Sequence, residues 1–341
     1  VLSGGGAKGT AHIGALKVIE KAGIPIDYVV GTSMGAIVGG LYAIGYTPGQ
    51  LDSMVNAQNW KFLLSDAPNP KEVLLDDRLR SERYVLSIPF SFKSTDVTDA
   101  GIIKGKNLAK LFSTLTEGYQ DFTDFSRLPI PFACVSENLV NGTEVIFHQG
   151  ILATAMRSSM SIPGVFAPVY LDGMVLVDGG MVNNYPVDVA LGMGADFIIG
   201  VDVQSPLLDA VELKSVKDIF GQIINLQGEK KYQENLRKTN VHIKVDVAGY
   251  SAASFTKEAI DTLIVRGERA AQSDWDKLIA LKKQMGLSTD YRPHRPEPLP
   301  VSDITEQKNI PVDPQIAVSA SRENKLNIGF RFDTEELAAL Q

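Results

Sequence analysis

The chain has 341 residues, of which 44% are hydrophobic and 21% charged, and its net charge at pH 7 is −7. This length and composition allow a globular protein with a sizeable core, and the acidic balance argues against a nucleic acid partner and against general attraction to anionic membranes. The single cysteine, Cys134, excludes an internal disulfide, and we expect it to be a small buried hydrophobe on an apolar strand. The longest apolar run is shorter than the roughly 18 residues of a membrane span, so we expect no transmembrane helix.

Two glycine-rich turns open the chain. Residues 1–9 read VLSGGGAKG, and residues 31–35 read GTSMG. The second turn has the Gly-x-Ser-x-Gly pattern of a nucleophile elbow, in which flanking glycines let the chain reverse sharply and present a serine, here Ser33, at the start of a helix. Backbone N–H groups of the first turn are candidates to stabilise an oxyanion. An ordinary strand-to-helix turn also produces the second pattern, which alone is weak evidence of function.

The segments around these turns have the periodicity that such a site requires. Apolar residues recur at helical spacing over residues 11–20 and stop before Pro25, residues 26–30 favour a strand, and residues 34–44 favour a buried helix. The pattern predicts a βαβα unit. Both turns would then lie at carboxyl ends of parallel strands, where open α/β sheets place their sites.

A serine nucleophile needs a base, which is most often a histidine held by a carboxylate. None of the four histidines adjoins a suitable turn or polar group, so we expect structural or solvated roles for His12, His148, His242 and His294. Another candidate is Asp178, which an apolar strand delivers directly into a double-glycine turn. An aspartate in this position also caps turns through its own backbone, and the turn alone leaves both roles open.

Three ordered blocks of sequence resemble the motifs of the patatin-like phospholipases. Residues 4–9 (GGGAKG), 31–35 (GTSMG) and 178–180 (DGG) are similar to that family's GGGx(K/R)G, GxSxG and DG(G/A) motifs. Further similarity, such as SIPGVF at residues 161–166, extends the resemblance over about residues 1–205. The resemblance implies an α/β fold, namely a three-layer α/β/α hydrolase with a mostly parallel central sheet.

The same resemblance implies a Ser–Asp dyad that uses no histidine. Ser33 would attack an ester carbonyl, and Asp178 would accept its proton and later activate water. The oxyanion hole is assigned to Gly5 and Gly6, with Gly4 close by. The implied activity is that of a lipid acyl hydrolase of the phospholipase A, lysophospholipase or esterase type, without a cofactor or a metal.

Lys8 takes the basic position of the family's first motif. In that position it would orient the turn or meet a lipid phosphate, and a solvated surface lysine is equally compatible with the sequence. The expected partner is a lipid or membrane-surface substrate, with no nucleic acid, and a homo-oligomer stays open. We expect a location in the bacterial cell envelope (periplasm or outer membrane), or secretion, rather than in the cytoplasm.

Three other readings use the same residues. A dinucleotide-binding turn would also show glycines at positions 4, 6 and 9, but its following strand should end near a ribose-binding acid and instead enters the turn of Ser33. A conventional α/β-hydrolase has the order Ser, Asp, His, for which only His242 and His294 follow Asp178. The remaining alternative is a degenerate, non-catalytic hydrolase domain that serves in envelope assembly.

Three apolar segments are candidates to border the entry to the site. Residues 84–92 alternate like an edge strand and residues 107–115 have helical spacing, and both are more typical of a core than of a lid. Residues 58–70, where aromatic side chains precede a loop-forming cluster, are the better candidate for a mobile flap.

Beyond residue 203 the sequence changes character. Long amphipathic helices are predicted over residues 211–237 and 256–285, on either side of a strand at residues 241–247. Six prolines within residues 293–314 predict a stiff linker, and residues 315–320 and 325–333 alternate as strands do.

These features divide the chain into four predicted parts. They are a catalytic domain (1–250), a helical extension packed on it (251–290), a proline-rich linker (291–314) and a strand-like tail (315–341). Because the chain starts inside a strand and without methionine, we expect it to belong to a longer protein. The tail is similar to the start of an outer-membrane barrel strand, so we expect a C-terminal β-barrel or envelope module in that protein.

Overall fold

The computed structural model describes residues 1–67, 84–90, 103–211, 213–214, 216–288, 290–293 and 328–333. The chain divides into two compact units, the first formed by Val1–Ser65 with Ala100–Val301 and the second by Asp66–Asp99 with Ser302–Gln341. The described α-helices, all in the first unit, are α1 (Ala11–Ala22), α2 (Met34–Ala43), α3 (Pro48–Ala57), α4 (Trp60–Leu63), α5 (Lys106–Leu115), α6 (Leu152–Ser159), α7 (Val187–Gly192), α8 (Val216–Arg237), α9 (Lys257–Ser273) and α10 (Trp275–Gln284). The described strands are β1 (Val29–Thr32), β2 (Tyr84–Phe90), β3 (Thr123–Asp124), β4 (Phe132–Asn138), β5 (Thr143–Phe147), β6 (Gln149–Gly150), β7 (Val169–Leu171), β8 (Met174–Asp178), β9 (Ile199–Asp202), β10 (Val241–Lys244) and β11 (Ile328–Asp333).

The central sheet is parallel on the side that carries the two glycine-rich turns. Strand β10 pairs with β9 and β1 pairs with β4, both in parallel, and bridges from Leu2 to Gly31 and to Val201 join the two pairs. Successive residues of β4 pack into different hydrophobic clusters, since Cys134 belongs to the larger cluster and Val135 to the smaller one. A sheet with a hydrophobic cluster on each face is the centre of the three-layer α/β/α fold that the sequence predicts.

Strand β4 also pairs with antiparallel strands, and one of these, β8, shares an edge of β4 with the parallel strand β1. Val135 pairs with Thr32 of β1, while the next residue, Ser136, pairs with Asp178 of β8. Strand β5 pairs with both Val135 and Ser136, so it occupies the opposite edge of β4. Strands β1 and β8 therefore lie end to end along one edge of β4, and they run toward each other until Thr32 and Asp178 meet.

The helices that flank the first turn follow the sequence pattern. Helix α1 ends before Gly23, whose φ of 71° lies in the left-handed region that suits a helix C-terminus. It packs on α9 with the backbones almost in contact, because a Cβ on Gly14 would lie 1.9 Å from the Ile264 carbonyl oxygen and one on Gly267 would lie 1.9 Å from that of Ala11. Residues of the predicted helical extension thus pack directly on the helix that follows the first turn.

Two sequence-based expectations differ from the structure in detail. The single helix predicted over residues 256–285 is interrupted at Asp274, which separates α9 from α10. The strand predicted at residues 26–30 instead covers Val29–Thr32, so it ends immediately before Ser33. Pairing between strands explains this shift, because the register of β1 with β4, rather than the local strand propensity of the sequence, decides where β1 begins.

The candidate entry segments have varied outcomes. Buried Leu108, Phe112 and Leu115 make α5 a core helix, as predicted. In the predicted flap, Trp60 of α4 stacks on Phe255 with ring centroids 4.7 Å apart, and residues 68–70 lie outside the described residues.

Within the second unit, β2 and β11 pair in antiparallel, which agrees with the alternating patterns of residues 84–92 and 325–333. The predicted linker beyond residue 293 and the predicted strand at residues 315–320 lie outside the described residues.

The proposed domain boundaries stay predictions. Among the described helices, none combines the length and the apolar character that crossing a membrane requires.

Candidate active site

Ser33 occupies a strained elbow between β1 and α2. Its φ of 56° and ψ of −121° lie outside the regions that residues with a Cβ normally adopt. The surroundings hold this conformation, since the Ser33 carbonyl accepts hydrogen bonds from the Ala36 and Ile37 N–H groups in the first turn of α2. Strain of this kind persists where the fold over-determines it, and such positions cluster at functional sites.

The hydroxyl of Ser33 donates a hydrogen bond to Asp178, with Oγ 2.6 Å from Oδ2. The other carboxylate oxygen of Asp178 accepts from the Gly180 N–H at 2.8 Å, so the aspartate caps its own turn and also faces the serine. Both side chains are buried, with exposed fractions of 4% for Ser33 and 6% for Asp178. One carboxylate oxygen of Asp178 thus caps the turn and the other contacts Ser33, which is compatible with both roles that the sequence left open.

Burial raises the pKa of Asp178 from its ordinary value to about 6, against the opposing effect of the hydrogen bonds from Ser33 and Gly180. A carboxylate with a pKa near 6 is a better proton acceptor than one with the ordinary value and is still mostly ionised at pH 7. Burial therefore gives Asp178 a pKa that is compatible with proton transfer near neutral pH.

The first glycine-rich turn lies beside Ser33. A Cβ on Gly4 would come within 3.1 Å of the Ser33 Cβ, and the Gly4 N–H donates to the Asn184 carbonyl at 3.1 Å. In the described part of the chain, the N–H groups of Gly5 and Gly6 have no hydrogen-bond partner. The Gly4 N–H is thus engaged, whereas those of Gly5 and Gly6 are available as donors, and the oxyanion hole at Gly4, Gly5 and Gly6 stays a prediction.

Both the backbone conformation and the close packing at position 6 favour glycine. Its φ of 57° lies in the left-handed region, and a Cβ would meet the Ala252 carbonyl oxygen at 2.5 Å. The next residue, Ala7, donates its N–H to that same carbonyl at 2.8 Å. This hydrogen bond attaches the first glycine-rich turn to the loop before α9.

Lys8 is not a solvated surface lysine, because only 9% of it is exposed and its Nζ donates to Ser205 Oγ at 2.8 Å. Burial and then the nearby charge of Lys244 lower the pKa of Lys8 to about 8, while Asp202 acts in the opposite direction. Ser205 lies just beyond the carboxyl end of β9, on the edge of the sheet that holds the elbow. The lysine therefore ties the turn to the loop after β9.

The histidines within the described residues have surroundings that agree with the structural or solvated roles expected from the sequence. The His12 Nε2–H donates to the Ser3 carbonyl at 2.8 Å, and burial lowers the pKa of this ring to about 4, which keeps it neutral. His242 lies 3.2 Å from Asp202. No histidine is hydrogen-bonded to Ser33 or Asp178 within the described residues, and His294 lies outside them.

Sequence reasoning missed the polar side chains that support the turn after Asp178. Asn183 donates to Glu144 at 2.7 Å and to Asp188 at 2.8 Å. Asn235 of α8 is 1% exposed and donates to the Tyr185 carbonyl and to Asp188, both at 2.9 Å. The adjacent asparagines 183 and 184, two residues after DGG, were the available signal, whereas nothing local marks Asn235 within a polar helix.

A serine in a strained strand-to-helix elbow, hydrogen-bonded to a buried carboxylate, is the arrangement found in serine hydrolases. The profile of the patatin-like phospholipase family matches residues 1–191, which is more than half of the chain. The chain belongs to the patatin-like phospholipase family, and so to a family of lipid ester hydrolases.

Individual relatives agree with this membership. The chain is 28% identical over 302 residues to lysophospholipase NTE1 of Mycosarcoma maydis, an alignment that covers 80% of this chain and 14% of that protein. It is 31% identical over 202 residues to an uncharacterized NTE family protein of Mycobacterium bovis, covering 59% of this chain and 48% of that protein. The chain thus spans less than half the length of these relatives. Among solved structures, VipD of Legionella pneumophila is similar, with a TM-score of 0.42 and 16% identity over 80% of this chain and 66% of that one.

Proposed function

We propose that this chain is a serine lipid acyl hydrolase that cleaves carboxylic esters through a Ser33–Asp178 dyad. The observation that carries the proposal is the 2.6 Å contact between the Ser33 hydroxyl, held in a strained elbow, and the buried carboxylate of Asp178. Family membership supports the ester-hydrolase chemistry, and the raised pKa of Asp178 supports its role as the base.

The acylation step needs no further protein base. Ser33 Oγ attacks the carbonyl carbon of the ester while its proton passes to Asp178 Oδ2, and the carbonyl oxygen becomes an oxyanion. The free N–H groups of Gly5 and Gly6 are the proposed donors to that oxyanion. Collapse of the tetrahedral intermediate breaks the ester C–O bond, and the departing alkoxide takes the proton from Asp178, which leaves an acyl-Ser33.

Deacylation repeats these steps with water. Asp178 takes a proton from a water molecule, whose oxygen attacks the acyl carbonyl. When the second tetrahedral intermediate collapses, Ser33 Oγ leaves and recovers the proton from Asp178, so the fatty acid is released and the dyad returns to its starting state. Both half-reactions use the same donors for the oxyanion.

The proposed substrates are phospholipids, lysophospholipids or related lipid esters. The name lysophospholipase, carried by the relative from Mycosarcoma maydis, favours a single-chain phospholipid among them. Lys8 is the proposed contact for a lipid phosphate or a support of the turn, and its burial beside Gly5 is compatible with both roles. Since this chain is acidic, its recognition of lipid would depend on local contacts rather than on net charge.

The test uses purified protein with Ser33→Ala and Asp178→Asn. Each should abolish hydrolysis of short-chain nitrophenyl esters without unfolding the protein, and Ser33→Ala should abolish covalent labelling by a fluorophosphonate. Activity retained in either variant would exclude the dyad. A folded wild type that neither hydrolyses esters nor takes up the label would instead favour a non-catalytic domain. Lipid profiling against the Ser33→Ala control then identifies the substrate class.

A further inference from the structure

The carboxyl end of α6 contacts the backbone of both proposed dyad residues. Ser159, the last residue of α6, accepts a hydrogen bond from the Ser33 N–H through its Oγ at 2.9 Å. The same hydroxyl donates to the Val135 carbonyl of β4 at 2.5 Å. Ser159 has an exposed fraction of 0%, so this bridge is shielded from bulk solvent.

The position of this hydroxyl follows from the β1–β4 ladder. The Val29 N–H donates to the Pro131 carbonyl at 2.9 Å, and a parallel ladder repeats such bonds every second residue. Continued by four residues, the same ladder would bring the Ser33 N–H to the Val135 carbonyl. Instead the Ser159 hydroxyl lies between these two groups and bonds to both. It replaces the last hydrogen bond of the ladder and keeps Ser33 away from β4.

Two residues further on, the same segment contacts the proposed base. The Asp178 N–H donates to the Ser161 carbonyl at 3.0 Å. Arg157 holds Ser161 in turn, since its Nη1 donates to Ser161 Oγ at 2.5 Å and its carbonyl accepts from that hydroxyl at 2.8 Å. Residues 159–161 thus connect the backbones of Ser33 and Asp178 through one short, buried piece of chain.

We propose that Ser159 is a positioning residue for the nucleophile: its hydroxyl separates the end of β1 from β4 and so fixes Ser33 at hydrogen-bonding distance from Asp178. This inference rests on the proposed dyad. Without the hydroxyl, the buried Ser33 N–H either loses its acceptor or moves to the Val135 carbonyl, and both changes displace Ser33 from the geometry that proton transfer requires.

Ser158 provides a matched control. It is the neighbouring residue, it is equally buried, and its hydroxyl donates to the Thr154 carbonyl at 2.8 Å within α6, without contact to the dyad. Ser159→Ala and Ser158→Ala each remove one buried oxygen from the same helical turn. A purely structural effect would therefore be similar in the two variants, whereas a positioning effect belongs to Ser159 alone.

The experiment measures kcat, KM and the rate of fluorophosphonate labelling for wild type, Ser159→Ala, Ser158→Ala and Ser33→Ala, with the folded fraction of each variant determined by circular dichroism so that rates refer to folded protein. We expect Ser159→Ala to lower kcat by about 10- to 100-fold with KM changed less than about threefold, and Ser158→Ala to resemble wild type. A longer Ser33–Asp178 contact also removes the hydrogen bond that lowers the pKa of Asp178, so the acid limb of the pH profile should shift to higher pH in Ser159→Ala only.

The outcomes separate this inference from the proposed function. If Ser33→Ala keeps its activity, the dyad itself is excluded. If Ser33→Ala is inactive but Ser159→Ala matches Ser158→Ala in kcat and in its pH profile, the positioning role is overturned while the dyad stands. Should Ser159→Ala fail to fold, Ser159→Cys takes its place, because the thiol has a similar shape and is a weaker hydrogen-bonding group. Its kcat should then fall below that of Ser158→Cys, and equal values would again overturn the inference.

Discussion

The Ser33 hydroxyl and the Asp178 carboxylate lie 2.6 Å apart although 145 residues separate them in the sequence. They meet because β1 and β8 run toward each other along the same edge of β4, so that Thr32 and Asp178 pair with consecutive residues of that strand. In this arrangement the proposed base comes from the end of a strand, is buried, and contacts the serine directly. Its protonation state should therefore control both activity and stability.

Activity should depend on the ionisation of Asp178. Because burial raises the pKa of this carboxyl to about 6, it is mostly ionised above pH 6 and increasingly protonated below. We expect kcat/KM to fall about tenfold for each pH unit well below this value. The measurement is the rate of nitrophenyl ester hydrolysis between pH 4 and 9 under conditions where the fold is intact. An acid limb near pH 4 would contradict the effect of burial.

The same shift predicts that Asp178 costs stability. Its pKa is higher in the folded state than its ordinary value of 3.8, so between about pH 4 and 6 the folded protein binds more protons than the unfolded chain. Stability from this group thus decreases as pH rises through that window, by up to about 3 kcal/mol. Asp178→Asn should be more stable than wild type by about 1–3 kcal/mol at pH 8, and the difference should disappear below pH 4.

Urea unfolding at several pH values measures this effect. Asp246→Asn is the control, because that carboxylate is largely exposed in its ion pair with Arg266 and its loss should change stability by less than about 1 kcal/mol. A destabilised Asp178→Asn at pH 8 would mean that the hydrogen bonds from Ser33 and Gly180 outweigh the cost of burial.

The strain at Ser33 predicts an unusual order of stability. At φ 56° and ψ −121° a Cβ is unfavourable, so Ser33→Gly should be more stable than Ser33→Ala by about 1 kcal/mol, despite the entropy cost of glycine. Ser158 supplies a control of opposite sign, since inside α6 glycine should be about 1 kcal/mol worse than alanine. Thermal or urea unfolding of the four variants gives the order of stability at each position. If alanine were more stable than glycine at both positions, this would argue against strain at Ser33.

Lys8 should affect phospholipids more than neutral esters if it contacts a phosphate. We expect Lys8→Met to lower kcat/KM for a lysophospholipid about tenfold more than for a monoacylglycerol of the same chain. The preference of wild type should also weaken as pH rises through about 8, because the ammonium loses its proton there. The control is Lys17→Met, which breaks the half-exposed ion pair with Asp52. Equal losses on the two lipids would leave Lys8 only the role of orienting the turn.

Helix α8 should stabilise the turn that carries Asp178. Asn235→Ala removes the side-chain donor of the Tyr185 carbonyl and one of the donors to Asp188, which keeps that from Asn183, so it should lower the free energy of unfolding by about 1–3 kcal/mol. Gln233→Ala, on the same helix but exposed and bonded only to Glu229, should change it by less than about 0.5 kcal/mol. Urea unfolding compares the two, and similar small values would show that the turn is stable without α8.

The sequence predicts the local parts of the site well. Apolar periodicity and the Pro25 stop signal predict α1, and the Gly-x-Ser-x-Gly pattern predicts an elbow at Ser33. The motif resemblance pairs Ser33 with Asp178, and the structure brings the two side chains together, while their catalytic roles stay predictions. The helix and the elbow depend on backbone conformations that a few neighbouring residues decide.

Other features depend on register and on contacts between distant segments. No local pattern indicates that β8 runs against β1, that the Ser159 hydroxyl replaces a hydrogen bond of the ladder, or that Lys8 is buried against Ser205. The sequence by itself determined the turns, the helices and the chemical groups available for catalysis. Only the tertiary structure decided which of these groups meet and how they are charged, because strand pairing and desolvation depend on the whole fold.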